Sequence, residues 1–328
     1  MPDEQTDLTD GPEVEWRELE IPTVMHGERL DRALAILLPE FSRSFSQQLL
    51  SEGCVSCLAP TPRVMGKASV KVRMGERYHV ALRPTPQSQA FKPENIPLDV
   101  VYEDDDLRIL NKPAGLVVHP APGNWSGTLL NGLLAMDPQA VMLPRAGIVH
   151  RLDKDTSGLM VVARTRRCMD ALVEMIAARD VHREYLAVAY RKWNGSSNRD
   201  VVAAIGRDYR NRLRMAVVDL ERLPGKEAHT TFDALDSQEE ACLVQCTLHT
   251  GRTHQIRVHL ASTGFPIVGD DKYGRDETRA KFVKLGFNRM FLHAHRLDIP
   301  HPLTQEPLAL VAPLPSACAA ILKKLEQQ

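Results

Sequence analysis

Between residues 147 and 158 the chain crowds His150, Arg151, Asp153, Lys154 and Asp155 into six positions. The crowd is entered through Ile148 and Val149 and left through Leu159, Met160, Val161 and Val162. Each apolar flank reads as a short buried strand. Ionised groups pinned between two buried strands are costly to desolvate unless they pair or carry chemistry. The run is therefore either a polar turn joining core strands or a functional loop, and the fold must accommodate it at the edge of a core.

Length and charge bound the rest. A chain of 328 residues is long enough for two domains with their own cores. No apolar run approaches the ~18 residues of a membrane span. The N-terminus is polar and acidic, without the apolar core of a secretion signal, so the cytoplasm is the expected compartment. Six cysteines in this length do not suggest a disulfide framework. Cys54 and Cys57 form a lone C-x-x-C without the second ligand pair of a zinc site, and Cys242 and Cys246 read as core thiols. No metal is expected. The net charge of −1 hides an asymmetry: residues 1–20 hold eight acids and one base, which leaves the remainder at +6. Between Arg145 and Arg214, fifteen Lys/Arg stand against eight Asp/Glu. A local basic stripe matters more for phosphate contact than the total does, although a solvated charged face has the same composition.

Periodicity divides the chain into an unstructured acidic tail (1–20), a small α/β module (21–83), a Pro-rich linker (84–93) and a large domain (94–328). In the module, Leu30, Ala33, Leu34, Leu37 and Leu38 fall at helical spacing. A second helix starts at residues 42–44 and ends at Gly53, and strands follow at 70–72 and 78–82. In the large domain, 100–102 and 107–110 form a hairpin around an acidic turn, and 166–178 is a helix. Segments 181–190, 201–205, 213–218 and 241–248 are strands. Thr253 is placed to cap a helix that Gly264 ends, with Arg257 about one turn in. Strands outnumber helices and do not alternate regularly with them. The expected class is α+β, with a mixed, mainly antiparallel sheet. No phosphate-binding glycine loop, H-E-x-x-H or G-x-S-x-G occurs, so no nucleotide cofactor is expected.

The run at 147–158 resembles the signature of the RluA-type pseudouridine synthases, in which the Asp of H-R-L-D is catalytic; here it is Asp153. Residues 111–120 resemble the family's first motif. Residues 183–187 resemble the segment supplying its active-site Tyr, and 250–260 the segment supplying its active-site Arg. The four motifs span about residues 95–315. Residues 27–83 are similar to the S4 RNA-binding domain, although the second helix is poor in Lys and Arg and the usual Val-Asn-Gly turn is replaced by residues 54–57. With Arg145-Ala146-Gly147 before the signature, the chain most resembles the RluD branch, which modifies a 23S rRNA hairpin loop. Residues 288–294 with His301-Pro302 look more like the RluC branch, which acts at other 23S sites.

The resemblance implies an isomerase that breaks a uridine's N-glycosidic bond, turns the base and rejoins it through carbon. No cofactor is needed. Asp153 would attack the anomeric carbon or remove the C2′ proton, and both routes stay open here. Arg257 would keep Asp153 ionised, Tyr185 would pack on the uracil, Ile256 would line the base pocket, and Arg151 would enter the RNA helix as the base leaves. His150, His254 and His259 read as structural or RNA-contacting. The expected partner is 23S rRNA or a large-subunit precursor, met by a monomer. Two other classes compete: a non-catalytic S4-type RNA-binding protein, for which Asp153 is dispensable, and a glycosidase, which needs two carboxylates across the bond, where Asp153 and Asp155 stand too close in sequence.

Overall fold

The computed structural model describes residues 15–39, 43–82, 90–121 and 123–327. The chain divides into two compact units, Met1–Gln89 and Ala90–Gln328.

The first unit packs helices α1 (Leu30–Leu37) and α2 (Arg43–Ser51) on four strands: β1 (Glu15–Glu20), β2 (Val55–Ala59), β3 (Arg63–Val64) and β4 (Arg77–Leu82). Their order in the sheet is β1-β4-β2-β3. The expected helical spacing is the buried spacing: Leu30, Ala33, Leu34 and Leu38 join Leu49 and Leu50 in one core. Gly53 ends α2 with φ 70, as a left-handed C-terminal residue should. Fully buried Asp31 lies between the helices. It accepts from Arg29 Nε (2.9 Å), Arg43 Nη2 (2.9 Å) and Gln47 Nε2 (2.7 Å). The Arg29 hydrogen bond, above all, holds its carboxyl far below the usual range.

Two expectations need correction here. The acidic tail does not run to residue 20, because Glu15–Glu20 pairs with β4 along its whole length. Residues 70–72 are not a strand. They make one isolated bridge, Arg29 to Lys71, since the chain entering α1 offers only a brief extended partner. Residues 54–57, which stand in place of the Val-Asn-Gly turn, lead into the strand Val55–Ala59. Of the linker at 84–93, residues 84–89 lie outside the described residues. Ala90 is buried in the second unit, and Asn131 Nδ2 donates to the carbonyls of Ala90 and Lys92. Ser42, the expected first residue of α2, also lies outside the described residues.

The second unit is built from β5 (Val100–Glu103), β6 (Leu107–Lys112), α3 (Leu129–Met136), β7 (Ser157–Ala163), α4 (Arg166–Ala178), β8 (His182–Tyr190), β9 (Asn198–Val202), β10 (Ile205–Arg207), β11 (Met215–Val217), β12 (Gly225–Lys226), β13 (His229–Ser237), β14 (Ala241–Leu248), α5 (Gln255–Ser262), α6 (Asp276–Lys284), β15 (Leu292–Pro300), β16 (Pro307–Val311) and α7 (Ser316–Leu325). The main sheet runs β5-β6-β7-β15-β8-β14-β13-β9, with β16 added on β15. Its pairings are antiparallel except β7 with β15. The expected mixed, mainly antiparallel α+β class is what forms. Strand 201–205 splits at residue 203: β9 stays in the main sheet, while β10 joins β11 and β12 in a small one.

The apolar exit from the charged run is β7, buried on both faces. Its odd members (Leu159, Val161, Ala163) pack with Leu172 of α4, and Met160 and Val162 pack with the α3 leucines. Both ends of the run need glycine because backbone passes against them. A Cβ on Gly147 would meet Ala163 O at 2.0 Å, and one on Gly158 would meet Ala294 O at 2.2 Å. The acidic turn is closed by Asp104, whose Oδ1 accepts the N–H groups of Asp106 and Leu107 at 2.8 Å each. All six cysteines are buried, and no disulfide joins them. Burial pushes the Cys242 thiol up to about 12.

Candidate active site

Asp153 sits in the loop between Ile148 and β7. Lys112, at the end of β6, pins that loop from below. Its Nζ, wholly buried, donates to the carbonyls of Pro113 (2.9 Å), Leu116 (2.9 Å) and Lys154 (3.0 Å). Burial lowers the Lys112 ammonium to about 8. Gly115 N–H also donates to Lys154 O, so the 111–120 motif and the signature are bound as one platform.

The Asp153 carboxylate faces a cavity of about 480 Å³. Arg257, the third residue of α5, donates from Nη1 to Asp153 Oδ2 at 3.0 Å. The rest of the guanidinium grips Asp270, with Nε to Oδ2 and Nη2 to Oδ1 both 2.8 Å, and Nη2 reaches Asp271 at 3.4 Å. A planar fork serves two carboxylates at fixed angles in a way an ammonium does not. Burial would raise the Asp270 carboxyl, but the hydrogen bonds and charge of Arg257 hold it below its ordinary value. Arg257 remains a cation: burial opposes its charge, and Asp270 and Asp153 outweigh burial. Its guanidinium lies 5.1 Å over the Tyr273 ring.

Tyr185 of β8 and Ile256 of α5 line the same cavity, both nearly fully buried. Arg151 stands exposed at its rim. All five residues singled out from the sequence therefore meet at one cavity, although 104 positions separate Asp153 from Arg257. The cap of α5 differs from expectation. Thr253 does not cap it. His254 occupies the N-cap with φ 57 and no capping bond. Gln255 closes the turn instead, its Oε1 accepting from Thr250 Oγ1 and Arg252 N.

The three histidines part company. His259 is buried between Thr230 Oγ1 and Ala203 O, a structural role. His150 accepts the Val161 N–H on Nε2. Burial takes it down to about 3, so it stays neutral. His254 lines the cavity, with Nε2 3.8 Å from Asp153 Oδ1. Asp270, Tyr273 and Lys112 were not singled out from the sequence. Asp270 follows the apolar stretch 265–268 and a tight glycine, Gly269, and is thus a charge at the end of a buried segment like the run at 147–158. Among the described residues, one group has metal-ligand atoms close together: Asp200, His229 and His249, within 4.8 Å. The two imidazoles stack at 4.0 Å with planes 20° apart. As placed they do not aim their in-plane lone pairs at one ion.

Comparison with known proteins shows the family. The model of the RNA pseudouridylate synthase family matches residues 106–262, which contain Asp153, Tyr185 and Arg257. The chain is 43% identical to the ribosomal large subunit pseudouridine synthase D of Neisseria meningitidis serogroup A, over 98% of this chain and 85% of that one. The protein so named in Nitrosomonas europaea is 45% identical, over 94% of this chain and 87% of its own. The chain belongs to the RNA pseudouridylate synthase family. Human RNA pseudouridylate synthase domain containing 1 superposes with a TM-score of 0.55 at 26% identity, over 72% of this chain and 97% of its own. As an RNA pseudouridylate synthase, the chain is an isomerase that converts uridine to pseudouridine.

Proposed function

We propose that this synthase forms pseudouridine in the 23S rRNA of the large ribosomal subunit, at an RluD-type hairpin-loop site, with Asp153 as its catalytic carboxylate. The observation that carries the assignment of Asp153 is its place: a partly exposed carboxylate, paired with a buried arginine, on the wall of the cavity. Relatives of 43% and 45% identity whose names specify the ribosomal large subunit support the substrate. The carboxylate begins the reaction either at the anomeric carbon or at the C2′ proton, and each route starts from the ionised form. Arg257 supplies the positive charge beside it. Tyr185 and Ile256 hold the extruded uracil, and Arg151 at the rim replaces the base in the RNA stack. The reaction is redox-neutral and calls for no redox nucleotide, and no metal is assigned a role. The first unit is read as an S4-like RNA-binding module on a monomeric cytoplasmic enzyme.

The test is Asp153→Asn, which keeps size and removes charge. Its single-turnover rate on a 23S rRNA transcript should fall below detection while binding persists. A variant retaining a tenth of the rate would overturn the assignment of Asp153, and unchanged pseudouridine in 23S rRNA from a deletion strain would overturn the substrate.

A further inference from the structure

The two oxygens of Asp153 are not treated alike. Oδ2 takes the Arg257 hydrogen bond at 3.0 Å, whereas Oδ1 faces His254 Nε2 at 3.8 Å. What lies behind His254 determines what that nitrogen carries. Its Nδ1 is 2.7 Å from the Tyr273 hydroxyl. That hydroxyl already accepts the Met215 backbone N–H at 2.9 Å. Were Nδ1 protonated, the hydroxyl would accept twice, and among the described residues its own proton would have no acceptor. The arrangement that places every proton runs from Met215 N–H to the Tyr273 oxygen, and from Tyr273 O–H to His254 Nδ1. A neutral imidazole that accepts at Nδ1 carries its hydrogen at Nε2.

The ring is neutral for a physical reason. Burial lowers the His254 pKa first, and Arg257 and Lys272 add to that, against the opposing charges of Asp153 and Asp270. The backbone is committed to the same end. His254 holds φ 57 and ψ 23, which few non-glycine residues adopt, and it makes no capping bond there. Its ring goes to Tyr273 and Asp153 instead. The Met215 N–H belongs to β11, so the small sheet β10–β12 is what anchors the chain of donors.

We propose that Tyr273 holds His254 as the Nε2–H tautomer and that His254 is the second donor orienting Asp153, which makes both of them positioning residues. The gap of 3.8 Å is longer than a hydrogen bond, and such contacts commonly tighten when substrate closes the site. With one donor on each oxygen, the carboxylate plane is set. The proposal rests on Asp153 being the catalytic carboxylate.

The experiment compares wild type with His254→Leu, His254→Gln and Tyr273→Phe, reading single-turnover rates at saturating 23S rRNA transcript together with RNA affinity. His254→Leu should slow the chemical step about tenfold or more, with affinity unchanged. His254→Gln, whose amide N–H reaches the Nε2 position, should recover most of that loss. Tyr273→Phe should fall between. Nitrogen-15 spectra of histidine-labelled wild type, with His254 assigned by its loss in His254→Gln, should show Nε2 protonated and Nδ1 bare at neutral pH. Tyr273→Phe should show a mixture of tautomers. A wild-type ring protonated at Nδ1, a His254→Leu rate equal to wild type, or a His254→Gln rate as low as that of His254→Leu would each overturn the proposal. If His254→Leu does not fold, the wild-type spectrum and the glutamine variant decide. An active Asp153→Asn protein would remove the catalytic reading instead, and the spectrum would still report the tautomer.

Discussion

Arg257 has two carboxylates to serve, and they respond differently to its loss. Asp153 is partly open to the cavity, whereas the Asp270 side chain is fully buried. In the intact protein Asp270 is held below the ordinary carboxylate value. Its contribution to stability is therefore present above the unfolded-state value and is lost as pH falls through the folded one. Arg257→Met reverses the sign. Burial, the largest influence on Asp270, then opposes only the backbone N–H donors of Lys272 and Tyr273. The folded value rises above the unfolded one, so the variant is penalised most at neutral pH and regains ground on wild type as pH falls. Thermal unfolding should show a loss of roughly 3–5 kcal/mol at neutral pH, the usual result of orphaning a buried charge. The loss should shrink in mild acid, and Arg257→Met combined with Asp270→Leu should recover much of it. A deficit equal at both pH values would mean that packing, not the buried charge, is responsible.

Between elements, the loop that carries Asp153 depends on how closely β7 and β15 approach. Their parallel pairing joins Ser157 to His293 and Gly158 to Ala294. Beneath it Ser157 Oγ meets Arg289 Nη2 and His293 Nδ1, both at 2.9 Å. Gly158→Ala would drive a methyl into the Ala294 carbonyl at 2.2 Å, a backbone atom that has nowhere to go. The two strands must then part. The expected loss exceeds ~3 kcal/mol, read from the urea midpoint. Gly115→Ala is the matched comparison. Its φ is 88 but nothing lies within 4 Å of the added methyl, so only backbone strain of about 1–2 kcal/mol applies. Similar losses for the two variants would show that conformation rather than close approach sets the requirement at Gly158.

Across the whole molecule, two separately cored units divide the work. Arg43, the lone basic residue at the start of α2, is held by buried Asp31. The basic stripe between Arg145 and Arg214 lies entirely in the second unit. A protein of residues 90–328 should fold, retain detectable turnover at high enzyme concentration, and keep most of the salt dependence of RNA binding, which counts neutralised phosphates. Loss of most of that slope on truncation would show that the first unit carries the affinity.

Asp153 was legible from the chain because the signal that marks it is local, whereas Arg151, Tyr185, Ile256 and Arg257 were placed in the site by resemblance to the family's motifs. A charged run between apolar flanks, glycines at both its ends, and a continuously apolar strand after it are all short-range patterns. So were α1, α4 and the hairpin around Asp104, whose spacing and turn residues act within a few positions. Tertiary structure alone decided who meets whom. Asp270, Tyr273, Lys112 and the ring of His254 join the site through the parallel pairing of β7 with β15, the start of α5 at Gln255, and the small sheet that presents Met215. Each contact that brings them in joins residues 13 to 58 positions apart. Its energy comes from burial and from satisfying polar groups that have no local partner, and nothing within a short window of sequence records which distant partner that will be.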